Sequence, residues 1–336
     1  MRSDRVLLAH GSGGTMMREL IEDVFVARFD DEVLLRMDDA AALDLPAGRI
    51  AFTTDTYVVT PRFFPGGDIG RLAVAGTVND VATSGAVPLY LSVGFVLEEG
   101  LMIEELERVL DSMAGVAREA GVRIVTGDTK VVERGHGDGV YINTAGVGVI
   151  RDGFDLSSSH CRPGDAVLLS GTLGDHGIAV VSTREGLSFG TDIVSDAAPL
   201  GGLVFDVIDA APGVRCFRDP TRGGLASCLN ELASSSGVAI TVEEEAVPVR
   251  EQVRGACEML GYDVYQVANE GKMVAVMPAE EATAAREAMR ASKYGANAAI
   301  IGEIGEGPAG RVYVRTSFGA RRIMDMLVGE QLPRIC

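Results

Sequence analysis

The feature that most constrains this chain is the alternation of helix-type and strand-type apolar patterns along its length. Apolar residues recur at helical spacing over 67–83 and 102–120, and apolar runs typical of strands occupy 87–97 and 140–150. Strand and helix patterns continue to alternate after residue 164. Elements in this order pack as layers of helices on sheets. The pattern therefore predicts an α/β or α+β fold.

A break in the pattern at 151–163 predicts a domain boundary. The chain there contains Arg-Asp-Gly, three consecutive serines and Arg-Pro-Gly, which are typical of turns and loops. A length of 336 residues also favours two domains over one. We therefore predict a Gly-rich segment with a helix at 1–35, an N-terminal domain at 36–150, a C-terminal domain at 151–328 and a flexible tail at 329–336.

Charge and cysteine content exclude several classes of function. The chain has 30 basic and 48 acidic residues, a net charge of −18, which disfavours binding to nucleic acid or to anionic membranes. It contains no apolar run of about 18 residues and no basic-then-apolar leader. Five cysteines without a C-x-x-C pair favour free thiols in a reducing compartment. We therefore expect a soluble cytoplasmic protein in which four thiols fill cores: Cys161, Cys216, Cys228 and Cys257.

The chain ends in an unusual free cysteine, Cys336, within the sequence Pro-Arg-Ile-Cys. The approach to it from Val328 has no helical period, Gly329 can act as a hinge, and Pro333 favours extended geometry before it. Such a tail, fully extended, could carry the thiol roughly 27 Å from the folded body. This reach suits a sulfur that must visit more than one site, whereas the alternative is a frayed terminus. We expect Arg334 to lower the pKa of the thiol and the terminal carboxylate to raise it.

A second group of residues indicates magnesium and phosphate chemistry. Six aspartates lie at or near the boundaries of predicted elements: Asp38, Asp39, Asp55, Asp80, Asp128 and Asp219. Asp55 and Asp128 directly follow the strand patterns 50–54 and 123–127. Mg²⁺ binds hard oxygen ligands, usually one or two carboxylates with phosphate oxygens and water. Each aspartate alone could be a cap or turn residue, but six at such junctions favour a nucleotide site.

Residues 219–224, Asp-Pro-Thr-Arg-Gly-Gly, have the composition of an anion-binding loop. They combine a carboxylate, a guanidinium and glycine N–H groups just before a helix pattern that begins near Leu225. N–H groups at a helix N-terminus and a nearby arginine both bind phosphate oxygens. Lys130, two residues after Asp128, adds a point charge for the same phosphates.

Several motifs together resemble a known ATP-binding superfamily. They are Asp38-Asp39-Ala, Thr54-Asp55, Asn79-Asp80, Gly127-Asp128-Thr129 and Asp219-x-Thr-Arg-Gly-Gly. The superfamily includes aminoimidazole ribonucleotide synthetase, selenophosphate synthetase and thiamine-monophosphate kinase. Within it, the terminal Pro-Arg-Ile-Cys and the motif Asn-Glu-Gly-Lys at 269–272 resemble the hydrogenase-maturation family of carbamoyl dehydratases, and the resemblance spans residues 10–336.

The resemblance implies a fold, an activity and partners. The fold is PurM-like: the N-terminal strands form half of an intersubunit β-barrel, an α+β C-terminal domain packs against them, and a homodimer binds ATP between the domains. The thiol of Cys336 would receive a carbamoyl group from a carbamoyltransferase of the HypF type. ATP-dependent dehydration would then give a thiocyanate. The cyano group would pass to the iron of [NiFe] hydrogenase on a HypC–HypD complex.

The residues can supply this chemistry. Loss of water from an S-carbamoyl group needs phosphorylation of the amide oxygen and then a base for the N–H protons. Glu270 is the predicted base, with a surface turn residue as the alternative, and Lys130 would orient it or hold phosphate. The predicted catalytic residues are Cys336, Glu270 and Lys130. The predicted ATP-binding residues are Asp55, Asp80, Asp128, Thr129, Asp219, Thr221, Arg222, Gly223 and Gly224, and the predicted magnesium ligands are Asp38, Asp55, Asp80 and Asp219.

Two other functions stay open at this point. One is a different ATP-using enzyme of the superfamily that phosphorylates a small molecule and has an incidental tail. A selenophosphate synthetase is disfavoured because the loop His10-Gly-Ser-Gly-Gly lacks a reactive cysteine. The other is a non-catalytic carrier whose terminal cysteine only docks a partner. His10 and His176 are candidate neighbours of the site, and no His/Cys cluster has metal-ligand spacing, so we expect no bound iron.

Overall fold

The computed structural model describes residues 3–187, 193–329 and 332–336. Its strands are β1 (Ile50–Tyr57), β2 (Phe63–Phe64), β3 (Gly67–Asp68), β4 (Ala86–Glu98), β5 (Arg123–Val132), β6 (Val140–Ile150), β7 (Asp165–Leu169), β8 (Cys216–Arg218), β9 (Ala239–Glu243), β10 (Val274–Pro278), β11 (Ala299–Gly305), β12 (Arg311–Arg315) and β13 (Arg321–Ile323). Its α-helices are α1 (Thr15–Leu20), α2 (Ala27–Phe29), α3 (Ile69–Thr83), α4 (Ile103–Ala120), α5 (Asp175–Glu185), α6 (Gly201–Ala210), α7 (Gly224–Ser236), α8 (Glu251–Leu260) and α9 (Ala282–Ala291). A π-helical stretch (Ile21–Val26) joins α1 to α2, and 3-10 turns occupy Leu8–Gly11, Leu34–Arg36, Glu244–Ala246 and Val264–Gln266.

The N-terminal half is organised on a four-stranded sheet in the order β1-β6-β4-β5. β6 is antiparallel to both neighbours, and β4 and β5 are parallel. Helix α3 packs across this sheet and begins at Asp68, whose carboxylate accepts hydrogen bonds from the N–H groups of Gly70 and Arg71. It is buried on almost every side because it lies between the sheet and the C-terminal half. Asp80, near the end of α3, is thereby held at the junction of the two halves.

The C-terminal half contains a seven-stranded sheet in the order β13-β12-β9-β11-β7-β10-β8. β12 and β9 are parallel, and the other neighbouring pairs are antiparallel. Helix α7 packs in one apolar core of this half, and α6 and α9 pack in another. The edge strand β8 lies beside α3. The residue that follows β8, Asp219, is therefore close to the N-terminal half.

The structure confirms the predicted two-domain α/β architecture and the burial of Cys161, Cys216, Cys228 and Cys257. The predicted ends of two strands are wrong, because Asp55 lies inside β1 and Asp128 lies inside β5. Both strands continue past these residues because the backbone pairing with β6 and β4 continues. The intersubunit barrel and the bounds of the four predicted segments stay predictions. Within the described ranges, no helix has the length and apolar character needed to span a bilayer.

Candidate active site

Three of the predicted aspartates meet where the two halves of the molecule join. Asp55 comes from β1, Asp80 from α3 and Asp219 from the loop after β8. A cleft of about 490 Å³ lies here, and Thr53, Asp80, Arg218 and Asp219 are among the residues that line it. The Thr53 hydroxyl donates a hydrogen bond to the Asp80 carboxylate at 3.1 Å. The fold therefore gathers carboxylates that are far apart in the sequence.

Two of these carboxyl groups, Asp80 and Asp219, have a raised pKa. Burial raises the pKa of Asp80 to about 7, and the negative charges of Asp219 and Asp55 add to this shift. Burial also raises the pKa of Asp219, with Asp55 adding to the shift and Arg218 opposing it. Crowded carboxylates of this kind are suitable ligands for a hard divalent cation. In the described parts of the chain, no group of three or more such side chains could hold a metal ion by itself.

The predicted anion-binding loop leads directly into α7. Gly223 caps the helix at φ 74° and Gly224 follows at φ 59°, both in the left-handed region that favours glycine. A Cβ on Gly224 would lie 2.6 Å from the carbonyl oxygens of Tyr265 and Val267, so no larger side chain fits. The Gly224 N–H donates to the Thr221 carbonyl at 3.0 Å and closes the turn. The first turn of α7 therefore begins beside the carboxylates, where its N–H groups favour an anion.

Glu270 is buried next to this loop, which excludes the alternative of a surface turn residue. The preceding Asn269 is fully buried; its side-chain amide donates to the Pro220 carbonyl at 2.9 Å and accepts from the Gly174 N–H at 2.8 Å. These bonds connect the segment that carries Glu270 to the anion-binding loop. The Glu270 N–H donates to the Asp196 carboxylate at 3.2 Å, while its own Oε1 has no hydrogen-bond partner. Glu270 is thus held in place by its backbone and keeps one reactive oxygen available.

The environment of Glu270 favours its protonated form. Burial raises its pKa well above the usual range, and the negative charges of Asp219, Asp196 and Asp55 add to the shift. A hydrogen bond with the Cys336 thiol acts in the opposite direction. A buried carboxyl with a raised pKa can accept and return protons near neutral pH. Glu270 therefore stays the predicted base of the site.

The described end of the tail, residues 332–336, is docked against the body. Ile335 is only 3% exposed and belongs to the core of the N-terminal half. Cys336 follows it and lies beside Glu270. Burial raises the pKa of the Cys336 thiol above its usual range, the Glu270 carboxyl adds to the shift, and Arg222 opposes it. The docked tail thus brings the sulfur to the predicted base.

Arg334 does not act on the thiol in the way that the sequence suggests. Its guanidinium forms an ion pair with Asp138 at 2.6 Å, at the surface. The left-handed backbone of Arg334, at φ 51°, turns the chain so that Ile335 enters the core. The expected effect of Arg334 on the pKa is therefore wrong, and the cation that lowers the thiol pKa is Arg222.

Three predicted residues lie on a different strand. Lys130 forms an ion pair with Asp128 at 2.5 Å on β5, and Thr129 between them is buried. β5 and β1 are the two edges of the N-terminal sheet, three strand spacings or roughly 14 Å apart. Asp38 is exposed in the segment before β1. The predicted contact of Lys130 with Glu270 is therefore not made within one chain.

The charged groups behind Glu270 are not evident from the sequence. Lys272 is buried, forms an ion pair with Asp196 at 2.9 Å and lies 4.0 Å from Asp175. Arg250 approaches the same Asp175 at 3.4 Å. The sequence does mark Lys272, as the last residue of the Asn-Glu-Gly-Lys motif, but it does not show the partners of this lysine. Asp196 lies in a segment without any periodic pattern. These groups support Glu270 through the Asp196 carboxylate.

Two family models match the chain, one for each half. The N-terminal domain of the AIR synthase related proteins matches residues 37–150, and their C-terminal domain matches residues 162–315. The first span carries Asp55 and Asp80, and the second carries Asp219 and Glu270. The fold and the site therefore define an AIR synthase-related protein with a PurM-like fold.

Full-length relatives show which family within this class the chain belongs to. A carbamoyl dehydratase HypE of Azotobacter vinelandii is 54% identical over 336 residues, which cover 100% of this chain and 98% of the relative. The crystal structure of hydrogenase maturation protein HypE in complex with ATP matches with a TM-score of 0.95 and 50% identity, over 98% of this chain and 99% of that chain. A crystal structure of a HypE–HypF complex matches with a TM-score of 0.81 and 49% identity, over 92% of this chain and 99% of that chain. The chain belongs to the HypE family of carbamoyl dehydratases, and the resemblance drawn from its motifs is confirmed.

Proposed function

We propose that this chain uses ATP to dehydrate a carbamoyl group carried on the sulfur of Cys336. The product is a thiocyanate, which supplies the cyanide ligand for the iron of [NiFe] hydrogenase. The observation that carries the proposal is the position of the Cys336 thiol, which lies beside the buried Glu270 carboxyl and near the carboxylates of Asp55 and Asp219. A group carried on this sulfur lies between a buried carboxyl and the anion-binding loop. Membership in the HypE family supports the same activity.

The proposed reaction balances with the groups at hand. The carbamoyl oxygen attacks the γ-phosphorus of ATP, and the bond to the bridging oxygen breaks to release ADP. The phosphorylated amide then loses its two N–H protons and expels phosphate. S–C(=O)–NH₂ and ATP thereby become S–C≡N, ADP and phosphate. The ionised Glu270 carboxylate accepts one N–H proton at Oε1, which has no partner in the docked state, and releases it to solvent, while the departing phosphate takes up the other proton.

The nucleotide is proposed to bind between the two halves of the molecule. Its phosphates would lie at the start of α7, near Thr221 and Arg222. Asp55, Asp80 and Asp219 would hold Mg²⁺ together with phosphate oxygens and water, and the ion would supply neutralising charge to the transferring phosphoryl group. Neutralisation of Asp55 and Asp219 also removes two of the charges that raise the Glu270 pKa, which favours the basic form of Glu270. The crystal structure of a HypE relative in complex with ATP supports ATP as the nucleotide.

We expect the magnesium affinity to increase with pH because of Asp80. A proton on Asp80, whose pKa is about 7, must leave before the carboxylate binds a cation. Below that pKa the affinity for Mg²⁺ with ATP should fall by up to about tenfold per pH unit. Asp80→Asn should bind Mg²⁺ more weakly, remove most of this pH dependence and abolish ATP hydrolysis. Titration calorimetry between pH 5.5 and pH 8.5 measures the affinity, with the exposed Asp152→Asn as control. A pH-independent affinity in the unsubstituted protein would contradict the assignment.

A homodimer is part of the proposal. The outward face of the N-terminal sheet exposes large apolar side chains, which are Ile50, Phe52, Val87 and Val96. Both edges of this sheet, β1 and β5, lack a neighbouring strand in the described chain. Such edges and faces are usually covered in native proteins. A second copy would cover them, and Asp38, Asp128, Thr129 and Lys130 would then reach a nucleotide only across the subunit contact.

Phe52→Glu is expected to shift the protein from dimer to monomer. Phe52 is 69% exposed in one chain, and a charge at the centre of an apolar contact opposes association. Sedimentation at micromolar concentration should show 35.3 kDa for the variant and twice that mass for the unsubstituted protein. Phe318→Glu is the matched control, because Phe318 is 97% exposed at the β12–β13 turn, away from this sheet. If both variants stay dimeric, the interface lies elsewhere.

Two partner complexes follow from the proposed reaction. A HypF-type carbamoyltransferase would load Cys336, as the HypE–HypF complex of a relative suggests. A HypC–HypD complex would accept the cyano group. Because the sulfur is half-buried beside Glu270 in the docked tail, both transfers need the tail to leave the body. We place the whole sequence of steps in the cytoplasm, where the five thiols stay reduced.

One mass measurement separates this function from the two alternatives. With a carbamoyl donor system present, Cys336 should gain the mass of a carbamoyl group, and ATP should then remove the mass of one water. A carrier would keep the carbamoyl mass with or without ATP. A small-molecule kinase would gain no mass at Cys336 at all. Either of these two results would overturn the proposed function.

A further inference from the structure

We propose that His176 is a positioning residue for the dehydration, because it holds the tail by the backbone carbonyl of Ile335. The sulfur that carries the substrate belongs to the next residue, Cys336. The inference rests on the proposed function, since it concerns the docked state in which dehydration takes place. His176 is remote from the tail in sequence and lies on α5, in the C-terminal half.

Main-chain oxygens of the last three residues all accept hydrogen bonds from the body. The first and the third bind to the segment 58–60 and to α5: Arg334 accepts from the Thr60 N–H (3.2 Å) and from Arg184 (2.7 Å), and Cys336 accepts from the Val58 N–H (3.1 Å). The carbonyl between them, that of Ile335, accepts from Nε2 of His176 at 2.8 Å. The tail is therefore bound from both halves of the molecule, and His176 is the side-chain donor to the middle carbonyl among the residues that the structure describes.

The surrounding bonds determine which ring nitrogen of His176 carries the proton. A carbonyl oxygen can only accept, so Nε2 must donate. Nδ1 lies 2.8 Å from the Ser195 hydroxyl and therefore accepts from it. The Ser195 oxygen itself accepts from the Ala197 N–H at 3.1 Å, which leaves its own proton for His176. The donors thus form one directed chain that ends at the Ile335 carbonyl.

The ring has little freedom to move. His176 is fully buried and packs edge-on against Phe64, with ring centroids 5.4 Å apart. Burial lowers the pKa of His176, with the Asp196 charge opposing and the Lys272 charge adding to the shift, so the neutral ring is favoured. A neutral imidazole has one N–H, and here that N–H is directed at the tail.

The consequence for the reaction is geometric. The side chain of Ile335 is buried in the N-terminal core and its carbonyl is bound by His176, so both sides of this residue are fixed. The sulfur of Cys336 then depends mainly on its own side-chain rotation to face Glu270. Reactions between held groups are fast only while the geometry is kept, and a small displacement is enough to slow them strongly. Loss of the His176 donor also leaves a buried carbonyl without its partner.

The test compares His176→Leu with His176→Gln, whose amide can still donate to the Ile335 carbonyl. The rate at which Cys336 is alkylated in the full-length protein measures how firmly the tail is docked, and it does not depend on catalysis. The other four cysteines are buried, so the alkylation reports on Cys336. Single-turnover dehydration of the carbamoylated protein reports positioning, and carbamoylation by the donor reports the released tail. We expect His176→Leu to speed alkylation of Cys336 and slow dehydration, each by about 10- to 100-fold, with normal carbamoylation. His176→Gln should restore a large part of both rates.

The controls separate positioning from folding and from the proposed function. His136→Leu, at an exposed histidine, should behave as the unsubstituted protein in every assay. Ser195→Ala keeps the ring but removes its orienting partner, so it should show a smaller change of the same kind. Unchanged alkylation and dehydration rates in His176→Leu would overturn the inference, and so would equal losses in His176→Leu and His176→Gln. Failure of the unsubstituted protein to dehydrate its carbamoyl group would instead overturn the proposed function, and the alkylation rates would still test the anchor.

Discussion

Glu270→Gln is expected to stop dehydration while carbamoylation of Cys336 continues. Glutamine has nearly the same shape and can keep the contact with the thiol, but it cannot accept the N–H protons. Removal of a general base typically slows a reaction by about 10²- to 10⁴-fold. In a mass measurement with donor and ATP, the variant should therefore accumulate the carbamoyl adduct. Glu258→Gln, on the exposed side of α8, is the matched control.

The same substitution should stabilise the fold at neutral pH. In the unfolded chain Glu270 is ionised above its usual pKa of 4.5, whereas burial raises the pKa in the folded state. Folding then requires proton uptake, and this cost grows as the pH rises above the unfolded value. Glutamine has no such cost. Thermal unfolding without Mg²⁺ and ATP should thus show a higher Tm for Glu270→Gln at pH 8 and little difference at pH 4. A lower Tm for the variant at pH 8 would contradict the buried, protonated carboxyl.

Cys336→Ala is expected to remove all carbamoylation and all thiocyanate, and to leave the fold and ATP binding intact. The other four thiols are buried in cores and cannot replace the terminal one. The tail should still dock, because its anchors bind backbone carbonyls and the Ile335 side chain rather than the sulfur. ATP affinity, measured by calorimetry, should therefore stay within about twofold of the unsubstituted protein.

The control for this variant is Cys257→Ala, which removes a buried thiol of α8 far from the tail in sequence. It should lose some stability as a core residue but keep full carbamoylation. A carbamoyl adduct on Cys336→Ala at any other residue would show that the terminal sulfur is not the carrier. A loss of ATP binding would show that the thiol supports the nucleotide site as well.

The elements and the identity of several site residues follow from the sequence alone. Helical spacing in α4 and the apolar run of β6 are local patterns, and each was found near its predicted position. The glycines before α7 were also predictable, since a turn into a helix needs the left-handed backbone that glycine adopts at 223 and 224. The terminal cysteine and the Asn-Glu-Gly-Lys motif also identified the family, because each motif consists of a few consecutive residues.

The sequence by itself therefore determined the elements, their order, the family and the candidate base, since periodicity, turn chemistry and motifs are local properties. Only the tertiary structure decided that Glu270 is buried with a raised pKa, because that depends on Asp55 and Asp219 from other elements. The tertiary structure also decided that Lys130, on β5, and Asp55, on β1, lie at opposite edges of the N-terminal sheet. The sequence of a single strand does not specify the order of strands in a sheet. The contact of His176 with Ile335 joins residues 159 positions apart, and no local pattern marks it. Burial and charge act through space, so the chemistry of this site appears only when the chain is folded.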